Sequence, residues 1–421
     1  MSLFSTTYDI IIVGGGISGL FLAYKLSDTN LEILLIEKDK DLGGRVHTAT
    51  DNDIQYEAGA GRFNEKHTKL ISLINELNLE GNMITLSNDQ GIKVREYDTK
   101  KTLNTHYLFN VLKKKYLKYE SSYLQKITFY QLLIDIFDYE TANYIKDTFG
   151  YDAEFLDLNA DAAFIMFKDD LFSDTEYYVL KGGLSEIMTK MESCLKNREN
   201  VTILKKNELK QIFDDKIVTD IDTYYYKNLV LAIPQFNLKL LTEFKDFELL
   251  DSVKPIGLLR IYAVYPLDSN GDPWFKNIKR TTTNSYLRHI IPIDNEKGLI
   301  MISYTDSFNA QLLINLYSLG EEIMMKEIHK EIKRLFNIVP PDVKKVYFHN
   351  WSNKYSGLHV WKPNNDVNKI YSKILQPDSK KNIFICGEAY SKKQGWIEGA
   401  LETSYDVLKK LNLENINIKF N

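Results

Sequence analysis

The chain has 421 residues, 44% of them hydrophobic and 26% charged, with a net charge of −4. That balance excludes a disordered or fibrous chain and gives no electrostatic case for nucleic acid or anionic lipid as a partner. The two cysteines, Cys194 and Cys386, are too few for a disulfide framework or a cysteine metal site, so no metal is expected.

The first predicted element is a buried parallel strand at 10–13, followed by glycines at 14, 16 and 19 and a helix-forming stretch at 17–26. Gly14 permits a tight turn, Gly16 lets a pyrophosphate approach the backbone, and Gly19 lets helix pack on strand. The phosphates would rest on the amides at the helix start, around Ile17 and Ser18. A second apolar run, 33–36, ends at Glu37, whose carboxylate can grip ribose hydroxyls, with Lys38 beside it. Strand, helix, second strand and terminal acid stand in register for a dinucleotide. The first strand begins near residue 8, leaving no room for a cleaved signal peptide, and no long apolar run follows. A cytoplasmic protein without a membrane anchor is therefore expected.

Residues 85–180 read as largely helical and aromatic, with Lys113, Lys114, Lys115 and Lys118 on a solvated face. A second dinucleotide-type block, 180–250, contains a Gly182-Gly183 turn, a helix, and strand-like runs at 201–204, 212–218 and 229–233. Residues 255–300 look strand-rich, and 318–336 forms an amphipathic helix with Met324, Ile328, Ile332 and Leu335 on one face. A third block, 382–411, is a strand, a glycine-rich loop and a closing helix. The economical organisation is a cofactor domain assembled from 1–80, 181–250 and 380–421. A substrate-binding domain is expected from 81–180 and 251–379, with the ligand cleft between them.

Asp41-Leu42-Gly43-Gly44-Arg45 follows the ribose acid, and a nicotinamide enzyme has no evident use for it. In flavoproteins of the glutathione-reductase type such a loop runs along the FAD pyrophosphate, where Arg45 can pair with phosphate. The chain resembles the flavin amine oxidase superfamily, which includes monoamine, polyamine and L-amino-acid oxidases. Five further blocks resemble it: Glu57 to Phe63 (with Ala60, Gly61, Arg62 and Phe63), Leu180 to Leu184, Trp351 with Tyr355-Ser356-Gly357, Cys386 to Ala389, and Gly395 to Ala400. The segment through Glu65-Lys66-His67 is similar to that of L-amino-acid oxidases.

The resemblance implies an α/β fold: an FAD-binding Rossmann-like domain in three segments with an inserted α+β substrate domain. It implies oxidation of the C–N bond of a small amine or amino acid by hydride transfer to flavin N5. Imine hydrolysis and reoxidation by oxygen would follow. Trp351 would pack near the flavin ring, Glu388 and Gly387 would meet the ribityl chain, and Gly395, Trp396 and Ile397 would meet the ring. Trp396 matches one wall of the family's aromatic cage, while Trp361 stands near the position of the other, in a run where His359 and Val360 make the register ambiguous. His359 lies where some members carry a flavin-linking cysteine, so it is a covalent link or a hydrogen-bonded pocket residue. Arg62 matches the carboxylate clamp of L-amino-acid oxidases, or pairs with the cofactor phosphate or a structural carboxylate. Arg260 falls on the strand that in the family carries a flavin-proximal lysine tied to oxygen reactivity. An arginine there stays protonated; a shifted alignment would instead leave it on a solvated edge. Two arginines also suit a second reaction class, an FAD-dependent dehydrogenase or double-bond isomerase acting on an unsaturated or carboxylate lipid.

Overall fold

Strands from three distant parts of the chain meet in one parallel sheet. The computed structural model describes residues 7–87, 90–93, 105–167, 175–352 and 356–411. In it Ile383–Ile385, Thr223–Leu231, Thr7–Val13, Ile33–Glu37 and Val201–Lys205 lie side by side, all parallel. The unbroken apolar runs at 10–13 and 33–36 reflect cover on both faces. Ile11, Val13, Leu34 and Ile36 face one buried cluster, and Ile10, Ile12, Ile33 and Leu35 face another with the opening helix Ile17–Leu26 and the closing helix Ile397–Lys410.

The run 212–218 is not the single strand expected. It is the turn of an antiparallel hairpin, Leu209–Ile212 with Lys216–Thr219, because Asp214 and Asp215 keep their carboxylates in water. The next strand starts at Thr223 rather than 229, since its polar first half pairs with that hairpin. Cys386 is buried in the core and Cys194 is exposed.

A second, six-stranded sheet runs in the order Lys345–Asn350, Leu258–Val264, Leu299–Asp306, His289–Asp294, Arg280–Thr283 and Gln90–Lys93. One face is covered by helices Ser307–Ser318 and Glu321–Phe336, which bury Met324, Ile328, Ile332 and Leu335 as their 3.6-residue spacing requires. The helices Phe129–Ile136, Tyr139–Phe149 and Ala160–Phe167 share a core with one face of the parallel sheet. Buried ionic contacts tie this helical segment to the second sheet. Arg288 pairs with Asp147 at 3.1 Å and with Asp152, and the Asp306 carboxylate accepts the Asp152 and Ala153 amides. Burial, then the Asp152 charge, pushes Asp306 up to about 7. Among the described residues no helix is long and apolar enough to cross a membrane, and no acid, histidine or cysteine cluster could hold a metal ion.

Candidate functional site

One continuous cleft of about 960 Å³ runs from the ends of the parallel strands to the second sheet. Its dinucleotide end is built by the turn after the first strand. Gly14 adopts φ +104°, and a Cβ there would lie 2.5 Å from the Ala232 carbonyl oxygen. A Cβ on Gly19 would lie 2.0 Å from the Gly14 oxygen, so Gly19 supports the turn from beneath rather than lining the cleft. Gly16, by contrast, faces space in which a Cβ would meet nothing within 4 Å. The opening helix begins at Ile17 and Ser18 with no side-chain cap, so its first amides are orphaned toward the cleft. Glu37 closes the turn: its carboxylate accepts the Gly15 amide at 2.7 Å and the Asp39 amide at 2.9 Å. Each oxygen keeps a second acceptor site for a hydroxyl. Lys38 lines the same stretch, and Gly43 bridges back to Gly16, bringing Gly44 and Arg45 alongside.

Further along, the closing helix presents a second uncapped N-terminus at Trp396, Ile397 and Ala400. It is tied to the opening helix by Ser18, whose hydroxyl donates to the Ala400 carbonyl at 3.2 Å. Glu398 turns away from the cleft and caps the helix Thr68–Glu76, accepting the Lys69 and Leu70 amides at 3.1 and 3.0 Å.

Glu388 is buried at the centre of a closed network. Its carboxylate accepts from Arg45 at 2.7 Å, from the His359 ring at 3.1 Å, and from the His359 and Gly395 amides at 2.9 and 2.8 Å. Burial opposes its ionisation, but Arg45 and His359 win and hold it well below the usual carboxylate range. Four donors use the four acceptor sites of a carboxylate. Glu388 therefore organises the loops around it, while Gly387 and Gly395, whose amides donate to Thr403 and Glu388, border the cleft. Since the carboxylate only accepts, the His359 Nδ1 carries a proton, and its Nε2 lies 3.1 Å from the Ser356 hydroxyl. With both nitrogens engaged and no exposed surface, His359 is not arranged for a covalent link.

Trp361 departs from expectation. It is buried in the core, its indole donating to the Ser391 carbonyl at 2.9 Å, and it does not line the cleft. Along its strand, Leu358–Trp361, the residue that reaches the cleft is Leu358. Phe63 likewise lies wholly in the core against Tyr178, not on the cleft surface. Trp351 lines the cleft and donates to the Ala58 carbonyl at 2.7 Å. Tyr355 lies outside the described residues.

The far end of the cleft is aromatic and cationic. Trp396 packs edge-on against His67 at 4.7 Å and lies 6.4 Å from Tyr177. Arg62 stands over Tyr177 at 4.6 Å and over Trp396 at 6.0 Å. Arg260 is no solvated-edge residue: only 7% exposed, it donates to the Glu57 carbonyl at 2.8 Å and lies 4.4 Å from the Tyr304 ring centre. Beside it is Gly61, where a Cβ would sit 3.1 Å from its guanidinium, and Ala60 continues the wall. The Glu57 carboxylate is taken by the Leu184 amide at 2.6 Å and Thr48 at 2.9 Å. Burial raises its pKa against the pull of those bonds and Arg260.

Tyr151, Tyr177, Tyr304 and Arg280 complete this chamber, and sequence reasoning did not single them out. Tyr177 had a signal. It alternates with Val179 on the strand Tyr177–Leu180 leading into the Gly-Gly turn, and both reach the cleft. Arg280 heads a threonine-rich strand with no motif around it.

FAD suits these residues: two orphaned helix starts for its diphosphate and ring carbonyl, Glu37 for a ribose, and an open Gly16 where the backbone must be approached. The family pattern described as flavin containing amine oxidoreductase matches residues 17–407. The chain is similar to amine oxidase [flavin-containing] B of Sus scrofa, 32% identical over 77 residues, which are 18% of this chain and 15% of that protein. It is also similar to the chloroplastic/mitochondrial protoporphyrinogen oxidase 2 of Arabidopsis thaliana, 33% identical over 70 residues, or 17% of this chain and 14% of that protein. The matched segments thus span well under a quarter of these relatives. In fold, wild-type putrescine oxidase bound to putrescine superposes with a TM-score of 0.73 at 16% identity, covering 96% of this chain and 99% of that one.

Proposed function

Because the chain belongs to the flavin-containing amine oxidoreductase family, we propose that it is an FAD-dependent enzyme oxidising the C–N bond of a small amine or amino acid. The observation that carries this is the continuity of the cleft: the two uncapped helix starts open into the same space as the Trp396, Tyr177 and Tyr304 rings. Bound FAD would supply the redox chemistry, taking a hydride from the carbon bonded to nitrogen, leaving an imine for water to hydrolyse, and passing its electrons to oxygen.

The chain's own residues position and desolvate the substrate. Gly14, Gly16, Ile17 and Ser18 form the diphosphate cradle, with Gly19 supporting the turn from beneath; Glu37 and Lys38 take the ribose; Gly44, Arg45, Gly387 and Gly395 flank the linker. Ala60, Gly61, Trp351 and Ile397 border the ring site. Trp396 and Tyr177 form an apolar wall that excludes water. Arg62, Arg260 and Arg280, all protonated at neutral pH, make an ammonium ion unfavourable beside them, so a bound amine is driven toward its neutral form. Only that form can release hydride. Arg260 cannot serve as the proton acceptor, because guanidinium does not deprotonate in this range.

Arg260 also favours a second reading, an FAD-dependent dehydrogenase or double-bond isomerase acting on an unsaturated or carboxylate lipid. One experiment separates the two. Purified flavin-loaded protein is mixed anaerobically with amines, amino acids and unsaturated fatty acids, then exposed to air. Bleaching by an amine, with peroxide released on aeration, supports the first reading. Bleaching without peroxide supports a dehydrogenase. Purified protein that carries no flavin and takes none up would overturn both.

A further inference from the structure

We propose that Asp306, Asp152 and Arg288 are positioning residues that set Tyr151 into the chamber wall, so that the chamber follows the protonation of a buried carboxyl behind it. This rests on reading the chamber as the substrate end of the cleft. Tyr151 lines the cleft and meets Tyr304 edge-on at 5.4 Å. On one side of it, Gly150 adopts φ +87° and is pressed so close to the second sheet that a Cβ would lie 2.6 Å from the His289 ring. On the other side stands Asp152. An aspartate at a helix start ordinarily caps its own helix. Asp306 begins helix Ser307–Ser318 and Asp152 begins the short turn Ala153–Leu156, yet neither side chain caps its own first amides. The Asp306 carboxylate instead accepts the Asp152 and Ala153 amides at 3.1 and 3.4 Å, from 154 and 153 positions away. Asp152 in turn accepts at 2.9 Å from Asn309, on the helix that Asp306 begins, and at 3.2 Å from Arg288. Arg288 also donates to Asp147 at 3.1 Å, and does so from a backbone at φ +55°. A residue with a side chain keeps that conformation only where its surroundings over-determine it.

The charges packed around Asp306 come from two other elements. Asp152, with Lys146 and Asp147 behind it, belongs to the helical segment, and Arg288 to the turn before His289–Asp294. His289 packs on Tyr151 at 4.6 Å, but burial and the surrounding arginines hold it well below the usual histidine range, so it is neutral at neutral pH. Asp306 is fully buried, and burial, then the Asp152 charge, brings its titration to about 7. Ionised, Asp306 holds both amides by charge-assisted bonds. Protonated, it loses that charge, and one of its oxygens becomes a donor. The backbone at 152–153 is then held less firmly, and the Tyr151 ring beside it is freer. Acid therefore loosens the chamber wall and base tightens it.

Fluorine NMR of the full-length protein, with 4-fluorophenylalanine in place of Tyr151, tests this, because that ring has no phenol of its own to titrate. Its resonance is expected to move between two positions with a single midpoint near pH 7. Asp306→Asn, which cannot ionise, should hold the low-pH position throughout. Arg288→Lys, a point charge that cannot fork across Asp147 and Asp152, should raise the midpoint. A resonance that stays flat across neutral pH in the otherwise unaltered protein overturns the proposal, and this arm needs no variant to fold. A titration that survives Asp306→Asn also overturns it, since the proton then sits elsewhere, and so does a midpoint unmoved by Arg288→Lys. The measurement uses no substrate, so its failure leaves the amine-oxidising reading intact. Absence of anaerobic bleaching by any amine, with the titration present, removes that reading and leaves the clamp.

Discussion

At the dinucleotide end of the cleft, carboxylates are saturated by donors before any ligand arrives; the chamber end is lined by arginines and aromatic rings. Glu37 is held by two amides and Glu388 by four donors, one of them Arg45. A cradle for one fixed cofactor can be saturated and rigid. In the chamber, Arg62 and Arg260 lie over rings and Arg280 has no ion pair among the described residues. Arginines and rings lining a cleft can bind what enters it. The contrast separates a frame that must hold its shape from a surface that must recognise something.

If the frame is as closed as its geometry suggests, breaking it should cost the most. Glu388→Ala strands Arg45 and His359 without their acceptor, and denaturant unfolding should show a loss of about 3–5 kcal/mol together with loss of bound flavin. A variant that unfolds like the wild type would mean the network is ornamental. Gly19→Ala pushes a methyl into the Gly14 carbonyl and should cost about 1–3 kcal/mol in the same assay. Trp361→Phe leaves the Ser391 carbonyl unmatched and should cost about 2 kcal/mol, with the rate of flavin reduction unchanged. A large change in that rate would restore Trp361 to the chamber.

The pH dependence probes the border between the two regions. Burial, then Lys393 and Arg62, holds His67 down at about 3, whereas in the unfolded chain it titrates near 6.5. Between those values the unfolded chain binds the extra proton. The His67 contribution to stability is therefore complete above about pH 6.5 and falls with decreasing pH, by about 1.4 kcal/mol per unit. His67→Phe should flatten the dependence by that amount; unfolding curves at pH 7 and pH 5 with an unaltered difference would contradict it. The smallest stability effect is expected in the chamber itself. Trp396→Phe keeps a ring against His67 and should change stability by less than about 1 kcal/mol, while slowing flavin reduction by substrate.

The same division explains what could be read from residues alone. The cradle was legible because backbone geometry dictates it: Gly14, Gly19 and Glu37 sit where only glycine, or only an acid, meets the local requirement. The amphipathic helix Glu321–Phe336 was legible from its periodicity. Trp361 and Phe63 were misplaced because adjacent residues of a strand face opposite ways, and a one-residue ambiguity exchanges core for cleft. Asp214-Asp215 broke an apparent strand because two neighbouring carboxylates favour water over pairing. Arg280 carried no local signal at all. Its place in the cleft arises only from the pairing of its strand in the second sheet.

The bond between Ser18 and the Ala400 carbonyl joins residues 382 positions apart. During synthesis, the glycine turn and first helix emerge long before the helix that completes their site. The growing chain therefore carries an unfinished nucleotide pocket, with parallel strands awaiting partners from 223–231 and 383–385. Such late, long-range closure is slow and leaves strand edges open meanwhile. The last strand and helix must arrive before the pocket closes.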